Sequence, residues 1–161
     1  MNIKKEDNWS FILTAIFQHD RNLFFSIPYS IFLNYPPPFL SATEHHILHY
    51  IAEEGLHEWI DELIESITDP ADKEAVIFNF CCLSDKPTRE GETPFIIAVR
   101  RMEYKTAEWF YLKWLIDLPY QLQLCKSLPC KTIVESFCEA IEIMHVKKYL
   151  ETGEDTGDLR C

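Results

Sequence analysis

Between residues 91 and 101 the chain reads GETPFIIAVRR, and this stretch constrains the fold more than any other. Thr93 followed by Pro94 is a helix start. The threonine hydroxyl can accept a backbone N–H of the first turn, and a proline at the first helical position gives up an N–H that has no intrahelical partner anyway. Gly91 permits the tight turn that leads into it, a conformation that a side chain would strain. Ala98, one turn further on, is small enough to let this helix lie close against a neighbour. The unit is a short helix entered by a turn and packed hard on one side, and the rest of the chain has to supply what it packs on.

Elsewhere the apolar residues also recur three and four apart, the spacing of a helix with one buried stripe. With 161 residues, 47% of them hydrophobic and 25% charged, one domain with its own core is expected. The net charge of −11 argues against nucleic acid or an anionic lipid surface as partner, since both require a basic face. No apolar run reaches the roughly 18 residues that would suggest a membrane span. Six cysteines without a CxxC pair, and no secretory signal in the first residues, lead to the expectation of reduced thiols and a cytoplasmic protein.

In chain order, residues 9–19 read as a helix, and Pro28 should end the next one near Ile27. Pro36, Pro37 and Pro38 form an extended link. Residues 46–67 carry two apolar stripes separated by Gly55, which suits two helices turning back on each other. The stripe of the second helix is Ile60, Leu63 and Ile64, with Asp61, Glu62 and Glu65 facing water. Ala71 to Phe80 reads as one more helix with Asp69 or Asp72 near its start. After the 91–101 unit, residues 106–118 extend a second helix that Pro119 should stop. Residues 120–131 take the place of a linker. In residues 131–153, Thr132 stands where a cap belongs, and Gly153 suits a helix C-terminus.

The spacing of Gly91, Thr93, Pro94 and Ala98, the Leu48-His49 and Ile51-Ala52 pairs, and the Val146, Tyr149, Leu150 and Gly153 pattern together resemble the ankyrin repeat, with its T-P-L-H-x-A opening. The resemblance covers residues 46–153. It implies an all-α, ankyrin-like solenoid of about three divergent helix-turn-helix repeats, with an N-terminal helical cap or a degenerate repeat over residues 1–40. In the degenerate-repeat reading Ser10 takes the capping place and Ala15 the small place. Repeats then occupy 41–153, with an inserted helix around 70–82 and an acidic tail at 154–161. His46 and Ile47 stand where the family has threonine and proline, so the turn into that repeat is expected to be irregular. From His46 to Thr93 is 47 residues, against a family period of about 33, and the insertion houses the difference.

The resemblance also implies what such a chain does. Stacked hairpins bind other proteins through a concave face made of loop tips and first helices. Carried over by position, the partner-facing places are His45, Tyr50, Glu53 and Glu54, then Arg89, Glu90, Glu92, Arg100 and Arg101, then Lys131 and Glu139. Acidic Glu53 and Glu54 would lie beside basic Arg100 and Arg101, which calls for a protein partner of mixed surface charge, unless these residues pair with one another across the groove. Short, insertion-bearing ankyrin proteins resemble those that viruses and intracellular bacteria direct at host signalling, as adaptors or inhibitors. No cofactor is implied, and the sequence leaves the oligomeric state open.

A small hydrolase or transferase is the competing expectation. It would use the His45, His46 and His49 cluster, in which His45 and His49 are spaced to share a metal, or Cys130 with Cys138 as nucleophile. The simpler reading places His49 where the family's histidine ties down backbone in the neighbouring hairpin, and Cys138 in the core as a small hydrophobe. His57-Glu58-x-x-Asp61 begins like a zinc-protease helix but has aspartate in the place of the second histidine. Phosphate-cradling glycine motifs are missing from the sequence.

Overall fold

The computed structural model describes residues 5–114, 116, 118–124 and 131–142, with the backbone alone at 5–7 and 118. The described residues are all helical or irregular, without a strand. In chain order the helices are α1 (Lys5–Gln18), α2 (Arg21–Ser26), a 3-10 turn (Tyr29–Leu33), α3 (Ile47–Glu54), α4 (His57–Ser66), α5 (Pro70–Leu83), α6 (Pro94–Arg100), α7 (Tyr104–Lys113) and α8 (Leu118–Leu124). A further helix, α9, runs over residues 131–142.

Three of these pairs are the same object. The N–H of Asp20 donates to the carbonyl of Ala15 at 2.8 Å, that of Leu56 to Ile51 at 3.0 Å, and that of Glu103 to Ala98 at 2.9 Å. In each pair the residue before the donor is left-handed: His19 at φ 53°, Gly55 at 70° and Met102 at 62°. This six-to-one bond over a left-handed residue is a Schellman closure, which satisfies carbonyls at the end of one helix and turns the chain into the next. The three closures fall at the same step from Ser10, His46 and Thr93, so the pairs α1–α2, α3–α4 and α6–α7 are in phase.

Burial follows the same phase. Ile12, Leu48 and Phe95 are fully buried at one equivalent place, and Ala15, Ile51 and Ala98 at another. Phe24, Ile60 and Ala107 occupy the matching place on the second helices. The first helices form one row, with α3 packed between α1 and α6. The second helices form another through side chains. Phe24 of α2 meets Trp59 of α4 at 5.1 Å between ring centres, and Trp109 of α7 donates to both carboxylate oxygens of Asp61 on α4 at 3.0 and 3.1 Å.

The insertion is a helix, as its pattern predicts. Asp69 caps α5 by accepting from the N–H of Ala71 at 2.9 Å, with Pro70 at the start. The helix packs on α4 and on the 3-10 turn. There Asn79 donates to the carbonyl of Phe32 at 2.9 Å and Phe80 meets the Phe32 ring. Pro28 acts as predicted, since α2 ends at Ser26 with Ile27 as its C-cap.

Several local expectations need correction. Ser10 does not stand at a helix start, because α1 (Lys5–Gln18) runs through it. Helix α7 ends at Lys113 rather than at Pro119, and Pro119 lies in the first turn of a separate helix, α8, where proline costs no hydrogen bond. The linker expected from residue 120 is therefore helical to Leu124. Lys131 is already helical, so Thr132 stands inside α9 rather than capping it. The Val146, Tyr149, Leu150 and Gly153 pattern, the acidic tail and Cys130 lie outside the described residues.

Candidate functional site

The predicted binding residues fall on α3, on α6 with its C-cap Arg101, and on the two loops that precede these helices, except Lys131 and Glu139, which lie on α9. Gly91 sits at φ 85°, and Thr88 receives a turn bond from Gly91 at 2.9 Å. The loop before α3 is closed by Leu40 donating to His45 at 2.7 Å, and the two tips are joined where Arg89 donates its N–H to the carbonyl of Thr43 at 2.9 Å. Within the first tip, Ser41 and Thr43 hydroxyls converge on His45 Nδ1, at 3.2 and 2.7 Å.

Helix α6 starts as its sequence requires. The Thr93 hydroxyl accepts from the Ile96 N–H at 3.3 Å and donates to the buried Gln121 side chain, which in turn donates to Asp85 at 2.7 Å. Gln121 was not foreseen as part of this cap. Its segment reads as linker in sequence, and only the packing of α8 brings it there.

Helix α3 starts differently. His46 Nδ1 accepts from the Leu48 N–H at 3.1 Å, and His49 Nδ1 accepts from the His46 N–H at 3.0 Å, so two imidazoles form a capping box. The expected irregular entry is thus a regular cap with unusual residues. The ring of His49 lies toward the backbone of Lys86 and Glu92 in the loop before α6, where the family's histidine is expected, without closing a short hydrogen bond to it. Its Nδ1 is used inside its own turn, and no donor or acceptor closes onto the Nε2 of either ring. Both rings are buried and lie 3.8 Å apart. Burial pushes His46 down to about 3, although the backbone of Lys86 and Leu83 nearby favours its charged form. Burial, and then His46 and His45, push His49 down to about 2, although the backbone of Lys86 and Glu92 favours its charged form.

This geometry bears on metal binding. A backbone N–H pointing at Nδ1 requires the proton on Nε2, and a nitrogen carrying a proton has no lone pair for a cation. His46 and His49 are both held in that form, which leaves His45 as the remaining imidazole of the cluster. Among the described residues no group of three or more histidine, cysteine or carboxylate side chains is placed to hold a metal.

The other candidate chemistry has structural partners. His57 Nδ1 lies 2.7 Å from the Thr106 hydroxyl, and partial burial lowers its pKa. Asp61 accepts from Trp109 and pairs with Lys113. The zinc-protease-like stretch therefore ties α4 to α7. Cys138 is buried in α9, and burial pushes its thiol up to about 12, which suppresses the thiolate a nucleophile needs.

The charges are only partly brought together as expected. Arg100 is held by Glu92 of the loop before α6, with Nε to Oε2 at 2.6 Å and Nη2 to Oε1 at 3.2 Å. Glu54 meets His19, the residue that follows α1, at 2.9 Å. Glu53, Arg89, Glu90 and Arg101 have no side-chain partner among the described residues. Lys131 and Glu139 are exposed on α9. Tyr50 is mostly buried between the rings of Phe17 and His45, at 5.3 and 5.4 Å. Phe17 joins this side of the molecule because α1 docks beside α3, a contact that no local sequence pattern marks.

Comparison with family models, curated proteins and solved structures returns no match.

Proposed function

We propose that the chain is an ankyrin-like stack of divergent helical hairpins that binds a protein partner through the face made by its first helices and the loop tips before α3 and α6, acting as an adaptor or inhibitor. The observation that carries this reading is the phase of the three closures at His19, Gly55 and Met102. Equal steps put α1, α3 and α6 in one row, which makes a continuous face from residues far apart in sequence. The joined tips at Thr43 and Arg89 extend that face. A host-directed role in the cytoplasm rests on the family resemblance alone.

The face is uneven in what it offers. Arg100 is compensated by Glu92, so its charge is partly spent within the chain, whereas Arg101 has no side-chain partner among the described residues. The test is capture from a eukaryotic lysate by wild-type protein and by an Arg100→Glu, Arg101→Glu double variant. Loss of the captured protein with unchanged helical content supports the face. Capture that survives both reversals places binding elsewhere.

A further inference from the structure

One corner of that face combines features that neither helix has alone. Phe17, near the end of α1, is 51% exposed and sets its ring edge-on to Tyr50 of α3 at 5.3 Å. Tyr50 in turn lies against His45 at 5.4 Å. Glu53 and Glu54 follow Tyr50 by three and four residues, which places them on the same side of α3. Two residues past Phe17, His19 reaches Glu54, so the end of α1 touches both the rings and the carboxylates of α3. Glu53 has no partner among the described residues.

We propose that this corner receives an arginine side chain from a basic segment of the partner protein. The inference rests on the reading of the first-helix face as the binding face. A guanidinium is planar and weakly hydrated, so it can stack on an aromatic ring while its N–H fork reaches a carboxylate. Phe17 supplies exposed ring surface and Glu53 an uncompensated acceptor. Lysine fits less well, because a compact and strongly hydrated ammonium gains less from the ring. The chain's net charge of −11 would draw a basic segment in from a distance, and the corner would decide where it rests.

The experiment measures binding of a fluorescein-labelled Gly-Ser peptide carrying arginines, and of its lysine and glutamate counterparts, by anisotropy at physiological salt. Arginine should bind tighter than lysine by about threefold or more, and the glutamate peptide should not bind. Phe17→Ala should weaken the arginine peptide about fivefold and erase its advantage over lysine. Phe17→Leu, which keeps apolar bulk without a ring, should behave like Phe17→Ala. Glu53→Gln with Glu54→Gln should weaken binding similarly. Glu58→Gln with Glu65→Gln removes as much charge from exposed places on α4, and should leave affinity within about twofold, since screening confines each charge to its own neighbourhood.

Equal affinity for arginine and lysine, or an α4 control as damaging as the corner variant, would overturn the assignment and leave only attraction to an acidic chain. The two readings fail separately. If Arg100→Glu, Arg101→Glu loses the captured partner while Phe17→Ala retains it, the face stands and the corner falls. If neither variant affects capture, both fall.

Discussion

A left-handed residue closes each of the three hairpins, and only one of the three is glycine. Met102 is largely exposed and holds φ 62°, a conformation that costs a residue with a Cβ roughly 1 kcal/mol. Met102→Gly should therefore stabilise the protein, by about 0.5 kcal/mol after the entropy of a freer unfolded chain is subtracted. Gly55→Ala should do the reverse, by about 1 kcal/mol, because φ 70° is retained and the added methyl meets the Glu103 carboxylate. Urea midpoints of the two variants moving in the same direction would contradict the equivalence of these turns. Thr93 is the other residue on which much depends. Thr93→Ala removes a cap and also orphans the buried Gln121 carbonyl, so it should cost about 2 kcal/mol, more than the cap alone. Thr93→Ser should recover most of it. The cap was legible in Thr93-Pro94, but Gln121 was not, because a hydrogen bond across 28 positions leaves no local pattern.

Helix α3 carries its own pH dependence. His46 and His49 have folded-state values pushed down to about 3 and about 2, against an ordinary value near 6.5. Below pH 6.5 the unfolded chain binds protons that the folded chain excludes, so stability present above that pH is lost as pH falls toward the folded values. Between pH 7.5 and pH 5 the pair should withdraw up to about 4 kcal/mol, at about 1.4 kcal/mol per unit for each ring. Chemical denaturation at the two pH values checks this, and equal midpoints would show that the rings accept protons in the folded state. The helical hairpins themselves were legible, because Gly55, Thr93-Pro94 and Asp69-Pro70 punctuate apolar stripes at positions where local physics alone decides. The end of α7 was not. Nothing in Lys113-Trp114 reads as a stop, and Trp114 is buried against Phe80 and Trp109, so tertiary packing rather than a breaker sets that boundary.

At the scale of the molecule, the phase of three hairpins converts separate short helices into two rows. Only one of those rows, α1, α3 and α6, adjoins the paired loop tips. Positional carry-over picked residues that lie along α3, α6 and their preceding tips, but it could not assign their charges. That Arg100 would turn to Glu92 depends on how the loop before α6 folds back, and that Phe17 would join Tyr50 depends on α1 docking beside α3. The same geometry ties Asp61, Trp109 and Lys113 of the opposite row together as a seam between α4 and α7. Amide hydrogen exchange on the protein bound to its captured partner tests the central claim most directly. The account predicts added protection in α3, in α6 and in the tips around residues 41–45 and 88–92, with α4 and α5 unchanged. Protection confined to α4, α5 or the outer side of α7, with α3 and α6 exchanging as in the free protein, would contradict it.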